Sequence, residues 1–460
     1  MSCNVMNENQ TIFHKYRKEI RDILNVDETV LYMVEDEYKR LCERSTTSRH
    51  PSLMSRHPFF FYSLLAIVTN LLFPILSLKR RVHSSEFDFV FISCPDPVFR
   101  TKNIDMLAGT LKYCIIYLPN FHLSASIRYH KYFKEIGVMT AFPTISLRQV
   151  LYTWMKMRKF KRKFGLTTGD LEETKMISTM TRFLLYDKLT KKFVSDLGLF
   201  TGKWILEHQI YYFLNTIVHL REQGKESTML QHGLFFKPTT DFFPLHCDKV
   251  LCCSEREKNI YIKEGIDSNR VKVLGIPLQT ISRENFKQNS QTEYQLLILL
   301  TLVNKNNAPK IGEILTFVRQ HFESVLLRFR PRSKESDKRL LEKYIASFDI
   351  SEGKTIGDDL RRAQKVVTFS ADAIVEVVKY NKPFVYIWLK EYQDFIKKIQ
   401  CATMDDYKNF LQTLKEEDSY TNTMKEMSNY IVGEQRIRIL NERFVSFVET
   451  KSVLHTKNSD

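Results

Sequence analysis

Ser227-Thr228-Met229-Leu230-Gln231-His232-Gly233 lies near the middle of a chain of 460 residues. A short apolar, β-favouring run that stops on glutamine, histidine and glycine reads as a buried strand delivering polar groups to a loop at its carboxyl end. Open α/β sheets bind their ligands at that edge. A histidine there can pass a proton near neutral pH, and a following glycine lets backbone and ligand come close. A strand ending in a turn with a structural histidine fits the same residues, so the neighbouring sequence has to decide.

Working outward, the same kind of segment recurs. Upstream, Phe87–Cys94 (FDFVFISC), Tyr113–Leu118 (YCIIYL), Gly137–Ala141 and Leu197–Trp204 read as strands, with a helix-like run from Ile205 to Gly224. Downstream, Asp248–Ser254 is a strand, Glu255–Glu264 a helix, and Val271–Pro277 a strand closing on a turn. Near-continuous apolar runs alternating with helical segments predict parallel sheets covered on both faces. Residues 281–293 are polar and unpatterned, as a linker is. A second series follows, with strands at 296–302, 325–329, 365–369 and 384–388 and helices at 311–322, 335–345 and 371–380. The expected organisation is a helical extension over 1–84, a first βα domain over 85–285 and a second over 286–460 with C-terminal helices.

The composition is that of a globular protein, 43% hydrophobic and 27% charged, with a formal net charge of +16. Such a surface favours anionic partners: a phosphate-bearing substrate, an acidic membrane or nucleic acid. No nucleic-acid-binding motif is present, so none is expected as a partner. The eight cysteines form no C-x-x-C pair and read as buried thiols. Residues 9–44 predict an amphipathic helical lead-in that packs. Met1–Gln10 is polar and lacks the apolar core of a secretory signal.

Two stretches suggest a membrane. Residues 59–78 (FFFYSLLAIVTNLLFPILSL) carry no charge and precede Lys79-Arg80-Arg81. A span, a segment lying in the interface and a helix buried in protein are all compatible with that run. Residues 146–163 (SLRQVLYTWMKMRKFKRK) place apolar residues at helical spacing and crowd basic ones at the end, as in a helix on an anionic membrane surface. A solvated basic helix fits the same residues.

The order of the pieces carries a resemblance. LQHG, DKVLCCSE followed by a helix and KEGI, then VKVLGIPL and a linker resemble the amino-terminal half of bacterial GT-B glycosyltransferases of capsule and surface-polysaccharide synthesis. The chain is also similar to the CDP-glycerol glycerophosphotransferases and to the polysialyltransferase and Kdo-transferase group. LLRFRP looks like their R-x-H-P element, and VVTFSADAIVEVVKYNKPFVYI like their serine, glutamate and GKP element. The likeness covers roughly residues 200–390. It implies two Rossmann-like domains facing across a cleft, an acceptor on the first, a nucleotide sugar (CMP- or UDP-linked) on the second, and inversion at the transferred carbon. It implies no cofactor and, with no D-x-D pair in the chain, no metal. It also implies a lipid-linked or surface glycan acceptor and a place at the cytoplasmic face of the inner membrane.

On the acceptor side the candidate base is His232, then Glu207, placed on the helix-like run, with Gln231, Gly233 and Asp241 in or beside the loop. On the donor side Arg328 and Arg330 gather positive charge at a strand end. Ser370 and Asp372 open a helix whose amino terminus suits a phosphate, and Glu376 matches the acid that contacts a ribose in the resembling enzymes. His208 is expected on the surface, and the Asp358-Asp359 pair is expected in solvent. Two departures stand out: Arg330 occupies the histidine position of R-x-H-P, and Ala371-Asp372 replaces a second serine or threonine. A CDP-polyol phosphotransferase and a catalytically inert assembly partner are the alternative readings.

Overall fold

The computed structural model describes residues 12–44, 59–61, 63–67, 87–93, 102–118, 123–141, 143, 145–166, 170–209, 213–231, 242–275, 292–301, 303, 307–330, 333, 335–353, 355–369, 373–374, 376–377, 380, 382, 384–386 and 437–450. Two wholly parallel sheets organise it. The first contains β1 (Phe89–Ser93), β2 (Tyr113–Tyr117), β3 (Met139–Ala141), β4 (Lys203–Leu206), β5 (Ser227–Leu230), β6 (Lys249–Cys252) and β7 (Val271–Val273). Their order is β3-β2-β1-β4-β5-β6-β7. The chain steps outward from β1 to β3, returns to the other side of β1, and steps outward again to β7. The direction therefore reverses between β1 and β4, the place where open sheets leave a crevice at their carboxyl ends.

Both faces of this sheet are covered, which is why its strands are apolar throughout. Val90, Ile92, Cys114, Ile116, Leu206, Met229 and Val250 face one layer of helices. That layer includes Arg17–Leu24, Glu28–Arg44, Leu147–Phe164, Leu171–Asp196 and Phe213–Glu222. The expected helical lead-in is thus part of the first core: Phe13, Ile20, Leu31 and Val34 are completely buried. Glu37 of the lead-in accepts a bond from Arg182 at 3.0 Å. Helix Leu171–Asp196, 26 residues long and buried on nearly every side, lies against all four of the other helices.

The opposite face, with Phe89, Phe91, Tyr113, Ile115 and Ile205, is covered by helix Lys102–Ala108 and by Ile437–Glu449. Phe444 meets the ring of Phe89 edge-on at 5.3 Å. Residues 437–449, expected with the second domain, therefore complete the core of the first sheet.

The second sheet contains β8 (Tyr294–Leu299), β9 (Val325–Arg328), β10 (Asp349–Ile350), β11 (Ala363–Thr368) and β12 (Phe384–Tyr386), in the order β10-β9-β8-β11-β12. Its core gathers Leu296–Leu299, Val325–Leu327, Val366 and Val367 with helix Ala308–His321. The reversal here lies between β8 and β11. The expected strands and the helix at 311–322 recur within a few residues. The helix expected over 335–345 is broken into Glu335–Arg339 and Glu342–Ile345, and half of the one expected over 371–380 lies outside the described residues. Strand β10 and the helix Ile356–Arg362 are additions. That short helix is fixed by a capping box: Thr355 Oγ1 accepts from Asp358 N at 3.2 Å, and Asp358 Oδ2 accepts from Thr355 N at 3.0 Å.

Residues 59–61 and 63–67 are helical, with Leu65 and Ala66 in the first core. Among the described residues no helix is long and apolar enough to cross a membrane. Residues 68–78 lie outside the described residues.

Candidate active site at the carboxyl edge of the first sheet

The first correction concerns Glu207. It does not sit on a helix: Lys203–Leu206 is β4, paired with β1 and β5, Glu207 to Gln209 are not helical, and the next described helix is Phe213–Glu222. A four-residue apolar run cannot be told from a buried helical segment by its periodicity, and pairing on both sides decides for strand. Glu207 is therefore the first residue beyond β4, at the reversal point. Its backbone N–H continues the ladder to Ile92 O at 3.0 Å. Ser93, the last residue of β1, donates its hydroxyl to Glu207 Oε2 at 2.5 Å. Ser93 is fully buried and Glu207 is 7% exposed. Adjacency of β1 and β4 creates this pair from residues 114 positions apart.

The edge continues along β5 and β6. Gln231 extends the β5 ladder, donating its N–H to Leu251 O at 3.0 Å. Its side-chain Oε1 accepts from the Tyr261 hydroxyl at 3.3 Å, and the residue is buried. Beyond β6, Ser254 caps helix Glu255–Lys263, and Glu257 turns back so that its Oε2 accepts from Cys253 N at 3.0 Å. Burial pushes the Tyr261 hydroxyl and the Cys253 thiol well above their ordinary ranges, with the Glu257 charge acting in the same direction. These groups are neutral hydrogen-bonding elements at neutral pH. Of the described cysteines, Cys114, Cys247, Cys252 and Cys253 are buried and Cys42 is half-buried, and burial alone raises Cys114 to about 12.

His208 is not on a helical surface either. It is half-buried, parallel to the Phe242 ring at 6.1 Å, and its Nδ1 accepts from Gln209 N at 2.9 Å. Gln209 is fully buried and clamps the segment that follows the QHG loop: its Nε2 donates to Pro244 O at 2.9 Å and its Oε1 accepts from His246 N at 2.7 Å. His232, Gly233 and Asp241 lie outside the described residues.

In the second unit, Arg328 ends β9, and its Nη1 donates to Asp359 Oδ2 at 2.5 Å, with Gly353 O at 3.0 Å, Thr355 O at 3.1 Å and Ser351 Oγ at 3.2 Å also within hydrogen-bond reach. Asp359, expected in solvent, is fully buried. The Arg328 charge is thus matched inside the protein, and Arg328 fixes the β9 end and the helix Ile356–Arg362. Arg330, two residues further, is half-buried, as is Glu376, and residues 373–374 and 376–377 are helical. Ser370 and Asp372 lie outside the described residues; Phe369, just before them, continues β11 by donating its N–H to Leu299 O at 3.0 Å. No group of three His, Cys, Asp or Glu among the described residues could hold a metal ion.

Sequence reasoning missed Ser93, Gln209 and Glu257. Ser93 closes an apolar strand and Glu257 follows a serine cap by three residues, so both had local signals. The clamp formed by Gln209 has none.

No family model matches the chain, and no curated protein does. Solved structures with a similar arrangement include a UGT transferase from Siraitia grosvenorii in complex with UDP. It is 10% identical with a TM-score of 0.48, over 78% of this chain and 99% of that one. Another is the UDP-GlcNAc 2-epimerase from Neisseria meningitidis bound to UDP-GlcNAc, 14% identical with a TM-score of 0.45, over 78% and 98%. A third is the lipopolysaccharide outer core galactosyltransferase WaaB, 10% identical with a TM-score of 0.41, over 79% and 96%. Likeness at this level assigns no activity to the chain.

Proposed function

We propose that the chain is a GT-B-type glycosyltransferase that moves a sugar from a CMP- or UDP-linked donor to a hydroxyl of a lipid-linked or surface glycan. The observation that carries this reading is the Glu207 carboxylate at the reversal point of a parallel sheet, with Ser93 donating to one oxygen. A carboxylate so placed can take the acceptor's proton as the sugar carbon becomes electrophilic. His232, in the adjoining QHG loop, is the second candidate for that proton.

Donor binding falls to the second unit, on the carboxyl edge of β8 and β11. There Arg330 supplies the positive charge that balances the departing nucleotide phosphate, a role that needs no metal. Ser370 and Asp372 open the next segment, and Glu376 is the ribose contact. Arg330 in a position where the resembling enzymes have histidine keeps the charge while giving up proton donation, so the leaving nucleotide departs as an anion.

The test begins with melting temperatures in the presence of UDP, CMP and CDP, since a bound nucleotide stabilises the folded state. Turnover is then measured with a panel of nucleotide sugars and CDP-polyols. One nucleotide class is expected to raise the melting temperature and its sugar to be consumed. Glu207→Gln is expected to lower kcat about 100- to 10,000-fold while the nucleotide-induced shift persists. If no nucleotide shifts the melting temperature, the enzyme reading falls. Full turnover by Glu207→Gln together with loss in His232→Ala would move the base to the loop. Consumption of CDP-polyols alone would make the chain a phosphotransferase.

A further inference from the structure

Helix Leu147–Phe164 is split along its length. Gln149, Val150, Thr153, Met157 and Phe160 are buried against the first core. The other side presents Leu147, Leu151, Trp154 and Met155, with exposures of 52, 54, 36 and 51%. These positions follow i, i+4, i+7 and i+8, a single stripe. Arg158 and Arg162 continue the stripe at i+11 and i+15, and both are exposed. Arg148, Lys159 and Lys163 are exposed beside them. The helix carries seven basic residues and no acidic one. Charge on a solvated helix is ordinarily of mixed sign; here it is of one sign, and a second apolar stripe is exposed beside the buried one.

A second helical stretch supplies the same pattern. Residues 59–61 and 63–67 bury Leu65 and Ala66 in the first core while exposing Phe60, Leu64 and Ile67 at 67, 47 and 44%, again at i, i+4 and i+7. The two stretches meet at an open pocket of about 520 Å³ lined by Phe59, Trp154, Arg158, Lys161, Arg162, Gly165 and Leu166. The Arg158 guanidinium lies 5.0 Å from the centre of the Trp154 ring, at the boundary where the apolar half of the stripe gives way to the basic half.

We propose that this surface docks on an anionic phospholipid bilayer, with the apolar stripes entering the head-group and acyl boundary and the basic pocket receiving lipid phosphate. Two observations favour a bilayer over nucleic acid, the other polyanion that basic residues attract. Leu147, Leu151, Met155, Leu64 and Ile67 are aliphatic; they gain by leaving water but offer no ring for a base to stack on. The apolar half of the exposed stripe is also followed along the helix by its basic half, so one surface offers apolar side chains to the acyl boundary and positive charge to the adjoining lipid phosphates. The surface is separate from the Glu207 edge and stands independently of the sugar-transfer reading.

The test is flotation of the full chain with vesicles of phosphatidylcholine alone and with vesicles in which about a third of the lipid is phosphatidylglycerol. The chain is expected to float with the anionic vesicles and to stay behind with the neutral ones. Each basic residue near an anionic surface contributes about fivefold in partition, so Arg158→Gln with Arg162→Gln is expected to weaken binding about 25-fold. Leu151→Gln with Met155→Gln is expected to weaken it as well, without a change in melting temperature, because both side chains point to solvent. Equal flotation with neutral vesicles, no flotation with anionic ones, or wild-type flotation by both double variants would overturn the proposal. Binding to a single-stranded oligonucleotide but not to the anionic vesicles would also overturn it and assign the basic side to nucleic acid.

Discussion

Asp359 Oδ1 is buried with no hydrogen-bond partner among the described residues, while Oδ2 takes both Arg328 and the Ser351 hydroxyl, each at 2.5 Å. The carboxylate is therefore held by one arginine and one hydroxyl, without reserve. Arg328→Met leaves that charge uncompensated and is expected to cost about 3–5 kcal/mol in urea denaturation. Arg328→Met combined with Asp359→Leu is expected to recover most of the loss, because the charge is removed along with its partner. A donor-binding role for Arg328 predicts instead that the double variant, though stable, loses nucleotide affinity. The same pair illustrates what single residues reveal in a sequence. Arg328 and Arg330 read alike as strand-end charges, and only the fold brings Asp359 to one of them. Ser93 and Glu207 were equally separate: each closes an apolar run, and nothing local says that the two runs are neighbours.

At the scale of elements, apolar runs of five or six residues such as Phe89–Ser93 and Tyr294–Leu299 were legible because both faces of a parallel strand are buried. Helix Leu171–Asp196 was not, for a related reason. It is covered almost all round, so it lacks the one-sided stripe that marks a surface helix. Its contact with helix Phe213–Glu222 includes His219, which is buried between Asp187 Oδ1 at 3.0 Å and Glu222 Oε2 at 2.7 Å. Burial pulls the His219 pKa down, but the hydrogen bonds and charges of the two carboxylates outweigh it, and the net shift is upward. A raised folded-state pKa stabilises the protonated form. The contribution is complete below the unfolded value of about 6.5 and fades as pH climbs through the folded-state value. The melting-temperature difference between wild type and His219→Gln, followed across pH, is expected to be largest in acid and to shrink toward alkaline pH. A difference that does not change with pH would mean that packing alone holds the two helices.

Across the whole molecule, the two parallel sheets were legible from the alternation of apolar runs and helical segments, and the packing of the lead-in from its amphipathic spacing. The ownership of residues 437–449 was not, because an amphipathic helix does not state which face it covers. Phe444 is completely buried there, and Phe444→Ala is expected to cost about 3–5 kcal/mol in the denaturation of the full chain. A cost below about 1 kcal/mol would mean that the first sheet does not depend on this helix. Such dependence bears on how the protein is made. Synthesis runs from the amino terminus, so all seven strands of the first sheet leave the ribosome before the helix that covers Phe89, Phe91, Tyr113 and Ile115. For the time taken to translate roughly 160 further residues, at about 5–20 residues per second, that apolar face has helix Lys102–Ala108 over it but lacks its second cover. A chaperone that shields the nascent chain would find its substrate there, and the emergence of residues 437–449 would be the event that closes the first core.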